Sequence, residues 1–68
     1  MTHSSSDIMQ IKKTRDLTDL LVKVYGYQFA RQTGSHMIYT ADNKPSLPIP
    51  NKREIARGTL RNIVRLIQ

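Results

Sequence analysis

Residues 27–40 have the sequence YQFARQTGSHMIYT, and this stretch predicts a β-hairpin. Its first half alternates aromatic or long side chains with small or polar ones, which is the two-residue period of a half-exposed strand. Thr33-Gly34 then predicts a tight turn, because glycine adopts a positive φ without a Cβ penalty. The strand pattern resumes after the turn. We therefore expect strands over residues 27–32 and 35–40 that pair with each other.

The segment before the hairpin has the pattern of an amphipathic helix. Its apolar stripe consists of Leu17, Leu20, Leu21 and Val24. These positions recur with the 3.6-residue period of a helix that buries one face. Thr14 or Asp16 is suited to be the N-cap, and Gly26 is placed to end the helix. The sequence therefore predicts a first helix over residues 15–25.

The segment after the hairpin predicts a third strand and a second helix. Asp42-Asn43-Lys44 forms a polar turn, and residues 46–49 follow it as a strand. Prolines in and around this strand lack amide donors, so the strand must be short or lie at a sheet edge. After a short turn over residues 52–56, a second apolar stripe predicts a helix from about Thr59 to Ile67.

These elements follow the order α-β-β-β-α, which is an α+β fold. The 68 residues suffice for one domain, since domains usually contain about 50–200 residues. A chain of this length buries only roughly 60% of its unfolded surface, so its core is thin. Without cysteine it has no disulfide or thiolate zinc site to support that core. We expect a flexible N-terminal extension over residues 1–13 and a single domain over residues 14–68, the alternative for residues 8–13 being an arm that docks on the domain.

The positive charge is concentrated in the C-terminal part of the chain. The formal net charge is +6, and residues 44–68 contain six Lys or Arg but one Glu. Such a basic segment is typical of proteins with a polyanion partner, the alternative being a generally basic surface. No apolar run reaches the roughly 18–20 residues of a membrane span, and no N-terminal stretch resembles a signal peptide. We expect a cytoplasmic protein with no membrane partner.

The start of the second helix is a candidate phosphate-binding site. Free backbone amides at a helix N-terminus favour an anion, and several cations lie close to Gly58-Thr59 in the sequence. The RNA-binding residues expected on this ground are Lys52, Arg53, Arg57, Thr59 and Arg61. For Arg61 and Arg65, which lie four residues apart on one helix face, the alternative is a merely solvated surface.

Four aromatic residues lie in and beside the hairpin: Tyr25, Tyr27, Phe29 and Tyr39. Their rings could stack on nucleobases. Their spacing at strand positions and at a helix end favours a place in the core, and we expect them there.

His36 is the one histidine within the expected domain. Imidazole titrates near neutral pH and can both take and give a proton, so a histidine at the rim of a hairpin is a candidate general acid–base residue. The alternative is a strand residue whose ring is satisfied by a neighbouring hydrogen bond. No spacing of His, Asp and Glu indicates a metal site, and no Gly-rich loop indicates a phosphate loop. We expect neither a metal nor another cofactor.

Two sequence motifs resemble those of the HicA family of mRNA interferase toxins. They are Arg31-Gln32-Thr33-Gly34-Ser35-His36 and Gly58-Thr59-Leu60-Arg61-Asn62-Ile63, accompanied by Gly26-Tyr27 and Pro50. The resemblance covers residues 14–68. It implies a fold similar to the double-stranded-RNA-binding domain, with both helices on one face of a three-stranded antiparallel sheet.

The same resemblance implies a function. It implies a toxin that cleaves mRNA as a metal-independent endoribonuclease, with His36 as its catalytic residue and with Gly34 and Ser35 shaping the turn of the site. It also implies neutralisation by a HicB-type antitoxin, the toxin being a monomer when free and part of a hetero-oligomer with that antitoxin.

Two other hypotheses come from the residues themselves. The basic C-terminal part suits a non-catalytic RNA- or DNA-binding module, whose affinity would depend strongly on salt and which would leave RNA intact. The thin core suits an interaction subunit that is stable only in a complex, which is compatible with a toxin.

Overall fold

The computed structural model of the chain describes residues 8–67. In chain order the helices and strands are α1 (Thr14–Lys23), β1 (Gln28–Thr33), β2 (His36–Ala41), β3 (Lys44–Pro50) and α2 (Arg57–Ile67). The order α-β-β-β-α and the α+β class expected from the sequence are thereby confirmed. Residues 1–7 of the expected flexible extension lie outside the described residues.

The three strands form one antiparallel sheet in the order β1-β2-β3. The predicted hairpin is confirmed, and Gly34 in its turn has φ +59°. Strand β3 lies at an edge, as its prolines require, but it is longer than predicted. Because a register shift separates Phe29 from Arg31, the simple alternation expected along β1 is interrupted there.

The core lies on one face of the sheet, under both helices. Its apolar members are Ile8, Leu17, Leu21, Tyr27, Tyr39, Leu47, Ile49, Ile55, Leu60 and Ile63. The covered face of the sheet carries Tyr39, Leu47 and Ile49. Tyr39 pairs with Leu47, and Ile49 pairs with Met37, which lies two positions before Tyr39 and so on the same face. The two helices and the sheet therefore make the double-stranded-RNA-binding-domain-like arrangement.

The aromatic residues divide between the core and the surface. Tyr27 and Tyr39 are buried as expected, and Tyr25 packs partly buried against the core. The expectation was wrong for Phe29, which is 53% exposed. Phe29 lies on the edge strand β1, every residue of which is exposed, and its ring contacts Tyr39 edge-on at a centroid distance of 5.7 Å. The two helices do not cover the β1 edge of the sheet.

Helix α1 begins and ends slightly earlier than predicted. Its N-cap is Lys13 rather than Thr14 or Asp16, and Lys13 makes no side-chain capping hydrogen bond. Thr14 is already helical, and its amide donates to the Arg53 carbonyl at 3.0 Å. The helix ends at Lys23, and the chain turns away through Gly26 at φ +76°.

Helix α2 begins at Arg57, two residues earlier than predicted. The prediction placed the start after Gly58 because glycine weakens a helix interior by about 1 kcal/mol. Gly58 lies in the first turn instead, where the backbone amides have no intrahelical partner and the interior penalty does not apply in full.

Residues 8–13 pack against the domain as a docked arm, the alternative to a flexible extension at these positions. Ile8 is 1% exposed and belongs to the core. The Ile55 amide donates to the Lys12 carbonyl at 2.9 Å, and Lys13 forms an isolated antiparallel bridge with Glu54. The folded unit therefore includes residues before α1, held by the connection between β3 and α2.

The Tyr27 phenol links the connection between α1 and β1 to the start of β3. Its hydroxyl donates to the Pro45 carbonyl at 2.9 Å. The Lys44 ammonium lies 5.8 Å from the Tyr27 ring centroid and donates to the Tyr25 carbonyl at 2.8 Å. Burial raises the pKa of Tyr27 above its ordinary value, because the interior disfavours the phenolate.

We expect this raised pKa to make the fold less stable in alkali. Because the folded-state pKa of Tyr27 exceeds the unfolded value, its contribution is complete below about pH 10 and is lost as the pH rises through the folded-state pKa. Tyr27→Phe should cost about 1 kcal/mol at pH 7 by removing the hydrogen bond and should flatten the decline in stability above pH 10. Urea unfolding between pH 7 and pH 11 measures both, with Tyr25→Phe as the matched control. An equal alkaline decline in Tyr27→Phe would contradict the assignment.

Candidate functional site

His36 is the first residue of β2, directly after the hairpin turn, and its side chain is exposed. The turn is held from both sides, since the Asn51 amide donates to the Ser35 carbonyl at 2.8 Å and the Gln32 side-chain amide donates to the Gly34 carbonyl at 3.2 Å. Within residues 8–67, no protein hydrogen bond occupies the imidazole of His36. The ring is thus positioned by a fixed backbone and is open to a ligand.

Helix α2 completes a groove beside this histidine. The groove has a volume of about 370 Å³, and we call it the His36 groove. It is lined by His36, Pro48 and Pro50 from the sheet and by Thr59, Asn62, Ile63, Arg65 and Leu66 from α2. His36 pairs with Pro50 across β2 and β3, so both lie on the same side of the sheet. The groove therefore runs between the β3 edge and one flank of α2.

The lining combines a titratable ring with neutral and cationic hydrogen-bond donors. The His36 imidazole can exchange a proton, and the Arg65 guanidinium offers planar donors suited to phosphate. Asn62 adds an amide and Thr59 a hydroxyl. Pro48 and Pro50 form a rigid wall because their rings fix φ. Such a set can bind an oxyanion and can move a proton next to it.

The sequence did not indicate two of these side chains. Asn62 stands only within the second motif, and for Arg65, four residues after Arg61, a solvated surface is the alternative that the sequence leaves open. Their positions contained a usable signal, because Thr59, Asn62 and Leu66 lie at helical spacings of three and four and so share a face of α2. The periodicity does not show which strand this face of α2 contacts, because that depends on how the helix packs on the sheet.

The expected RNA-binding residues lie on more than one surface. Thr59 lines the His36 groove together with His36. Lys52 and Arg53 line a different groove beside the start of α1. Arg57 lies beside Met9–Lys12, and Arg61 is exposed on α2 between Arg57 and Arg65. The expected single cluster at the start of α2 is therefore divided, because the connection between β3 and α2 pairs with residues 12–14 beside the start of α1.

The carboxylates of the described residues are dispersed. Within residues 8–67, the structure contains no group of three or more His, Cys, Asp or Glu that could hold a metal ion. In the same residues, neither helix has the length and apolar character needed to cross a membrane.

The comparison with protein families agrees with the two motifs that flank this groove. The family model described as the HicA toxin of bacterial toxin–antitoxin systems matches residues 14–68. The chain belongs to the HicA toxin family. Membership makes it the toxin component of a toxin–antitoxin pair and implies an antitoxin partner. Neither a curated protein nor a solved structure gives a significant match to the chain.

The family match begins at the first residue of α1 and extends through α2. It includes every residue of the His36 groove, whereas the docked residues 8–13 lie outside it. The part of the chain shared with other HicA toxins thus contains the sheet, both helices and the candidate site.

The turn that carries His36 is expected to require glycine at position 34. Gly34 has φ +59°, and a Cβ built there meets no atom within 4 Å. Gly34→Ala should therefore cost about 1–2 kcal/mol of unfolding free energy from backbone conformation alone. Gly58→Ala is the matched control, since its Cβ also meets open space but its helical φ suits alanine. That change should be neutral or stabilising by up to about 1 kcal/mol. Equal effects of the two changes in urea unfolding would contradict this interpretation.

Proposed function

We propose that the chain is an endoribonuclease that cleaves mRNA, with His36 as the general acid–base residue, and that a HicB-type antitoxin neutralises it. The observation that supports this most strongly is the exposed imidazole of His36 in a groove with the Arg65, Asn62 and Thr59 side chains. Membership of a toxin family supports the cellular role.

The proposed reaction is a transfer within the RNA strand. The 2′-hydroxyl loses its proton and attacks the adjacent phosphorus, forming the bond from the 2′ oxygen to phosphorus. The bond from phosphorus to the 5′ oxygen breaks, and that oxygen takes up a proton. The products are a 2′,3′-cyclic phosphate end and a 5′-hydroxyl end, and no metal ion or other cofactor is needed. His36 takes or supplies one of these protons.

The charge that develops on the phosphoryl oxygens needs hydrogen-bond donors that are already in place. The Arg65 guanidinium lines the same groove as His36 and can supply a bidentate contact. Thr59 and Asn62 extend from the same helix and can hydrogen-bond the phosphate or a ribose. Arg65 is also the last of three arginines that follow one another at four-residue spacing along α2. We call Arg57, Arg61 and Arg65 the basic stripe. We propose that the stripe holds the strand, with Lys52 and Arg53 as further contacts.

The antitoxin is proposed to bind the same exposed surfaces. An acidic segment of a HicB-type protein would complement the basic stripe of α2, and covering the His36 groove would stop cleavage. The toxin is proposed to be a monomer when free and part of a hetero-oligomer with its antitoxin.

The reaction type is tested by incubating the purified chain with RNA in the presence of excess EDTA and mapping the ends of the products. Cleavage that leaves 2′,3′-cyclic phosphate and 5′-hydroxyl ends is expected. Full-length RNA after prolonged incubation at high protein concentration would overturn the proposal and favour the non-catalytic RNA- or DNA-binding module. Cleavage that requires an added divalent cation would overturn the metal-independent mechanism.

A further inference from the structure

We propose that a second groove, at the N-terminus of α1, binds a phosphate group of the RNA strand. This α1 groove has a volume of about 410 Å³ and is lined by Lys13, Thr14, Arg15, Thr18, Met37, Tyr39, Asn51, Lys52 and Arg53. That the phosphate comes from RNA rests on the proposed function. The anion site itself rests on the first three of the four observations that follow, and the fourth connects it to the RNA strand.

The first observation is the convergence of four cations from two distant segments. Lys13 and Arg15 come from the start of α1, and Lys52 and Arg53 come from the connection after β3. The hydrogen bond from the Thr14 amide to the Arg53 carbonyl, at 3.0 Å, holds the two segments together. None of the lining residues carries a carboxylate. Four like charges around one cavity repel one another, and a bound anion relieves that repulsion.

The second observation is the absence of a side-chain cap on α1. The N-cap Lys13 makes no side-chain capping hydrogen bond, and its charge opposes the helix dipole, which Asp16 in the first turn complements. The Thr14 and Leu17 amides donate to the Arg53 and Lys13 carbonyls. No such partner is found within the described residues for the Arg15 and Asp16 amides, which remain for an anion.

The third observation is a buried hydroxyl without a partner. Thr14 is 5% exposed, and its Oγ1 has no hydrogen-bond partner. Buried polar groups in folded proteins are almost always paired, so an unpaired hydroxyl on a residue that lines the groove indicates a missing partner. Together the hydroxyl, the amides and the cations offer more donors than one carboxylate can accept. They suit the several oxygens of a phosphate, and this favours RNA over an acidic peptide.

The fourth observation is the position of the groove relative to His36. Met37 lines the α1 groove and His36 lines the other groove, and consecutive strand residues point to opposite faces. In the same way, Asn51 lines the α1 groove and Pro50 lines the His36 groove. Both grooves therefore border the same end of the sheet, the His36 groove at the β3 edge and the α1 groove on the face that the helices cover. An RNA strand at His36 can continue past the hairpin turn and place another phosphate in the α1 groove.

The anion site is tested with inorganic phosphate, so the test does not depend on cleavage. In amide NMR spectra of the full chain, phosphate is expected to produce saturable shifts of the Arg15 and Asp16 amides. Arg15→Glu should weaken phosphate binding at least about tenfold, because a charge-assisted hydrogen bond is replaced by repulsion. Lys23→Glu is the matched control, since it makes the same charge change at the other end of α1. Shifts that do not saturate, or equal weakening in both variants, would overturn the site.

The hydroxyl is tested by an isosteric change. Thr14→Val should raise the melting temperature, because it removes a buried unpaired group, and should weaken phosphate binding about threefold. Thr14→Ser should keep phosphate binding near that of the unchanged chain. Unchanged phosphate affinity in Thr14→Val would overturn the assignment of the hydroxyl to the site.

The identity of the strand is tested with a 2′-O-methyl RNA, which cannot be cleaved by attack of a 2′-hydroxyl. Arg15→Glu should lower its affinity about tenfold and reduce the salt slope by about 0.7 for each phosphate that the variant no longer neutralises. Lys23→Glu should change neither. Unchanged RNA affinity in Arg15→Glu, together with weaker binding of the antitoxin, would overturn RNA as the ligand in favour of an acidic protein. Intact RNA in the cleavage assay would overturn the proposed function and leave the phosphate result standing.

Discussion

His36→Ala is expected to lower the rate of RNA cleavage by about 10²- to 10⁴-fold, the usual contribution of a positioned general acid–base residue. The imidazole is exposed at the start of β2, so its removal leaves no cavity in the core. RNA affinity should change little, because the cations proposed to hold the strand remain. The measurement is single-turnover cleavage of a labelled RNA at saturating protein. Growth of cells that express each variant provides the parallel readout, and His36→Ala should relieve growth arrest.

Two controls separate chemistry from structure in this experiment. His36→Gln keeps a polar side chain of similar reach but cannot exchange a proton near neutral pH, so it should be as inactive as His36→Ala. Thr40→Ala changes a residue at the other end of β2 and should leave cleavage unchanged. The melting temperature of each variant should stay within a few degrees of the unchanged chain. Undiminished cleavage by folded His36→Ala would overturn the role proposed for this histidine.

Ile8→Ala is expected to unfold much of the protein at room temperature. Ile8 is 1% exposed and packs in the core, and truncation of such a side chain costs about 2–5 kcal/mol. A core of this size rarely supplies more than about 3–5 kcal/mol, so one cavity can remove most of the net stability. Urea unfolding followed by circular dichroism measures the effect. Gln10→Ala, at a neighbouring exposed position, should be nearly neutral.

The Ile8 result also bears on where the folded unit begins. The family match starts at Thr14, whereas the burial of Ile8 and the hydrogen bond between Ile55 and Lys12 place earlier residues in the fold. A destabilisation of less than about 0.5 kcal/mol in Ile8→Ala, the range of an ordinary surface change, would show that residues 8–13 contribute little to stability.

Local chemistry explains where prediction from the sequence succeeded. The hairpin followed from a two-residue period and from a glycine that needs φ +59°. The prolines of β3 lack amide donors, which predicts a strand that is short or at an edge, and the strand lies at an edge. The same locality explains the error at Phe29. Phe29 alternates with small and polar neighbours, a pattern that predicts a buried side chain. Strand β1 is nevertheless exposed, because the two helices do not cover that edge of the sheet.

The amino-acid sequence by itself determined the order of elements, the hairpin and the position of His36 directly after its turn. Each depends on residues close together in the chain. Only the tertiary structure decided which side chains join that histidine and which form the second groove. Arg65 reaches the His36 groove and Arg53 the α1 groove because of how each helix lies on the sheet. That placement depends on packing between residues far apart in the chain, which neither periodicity nor net charge describes.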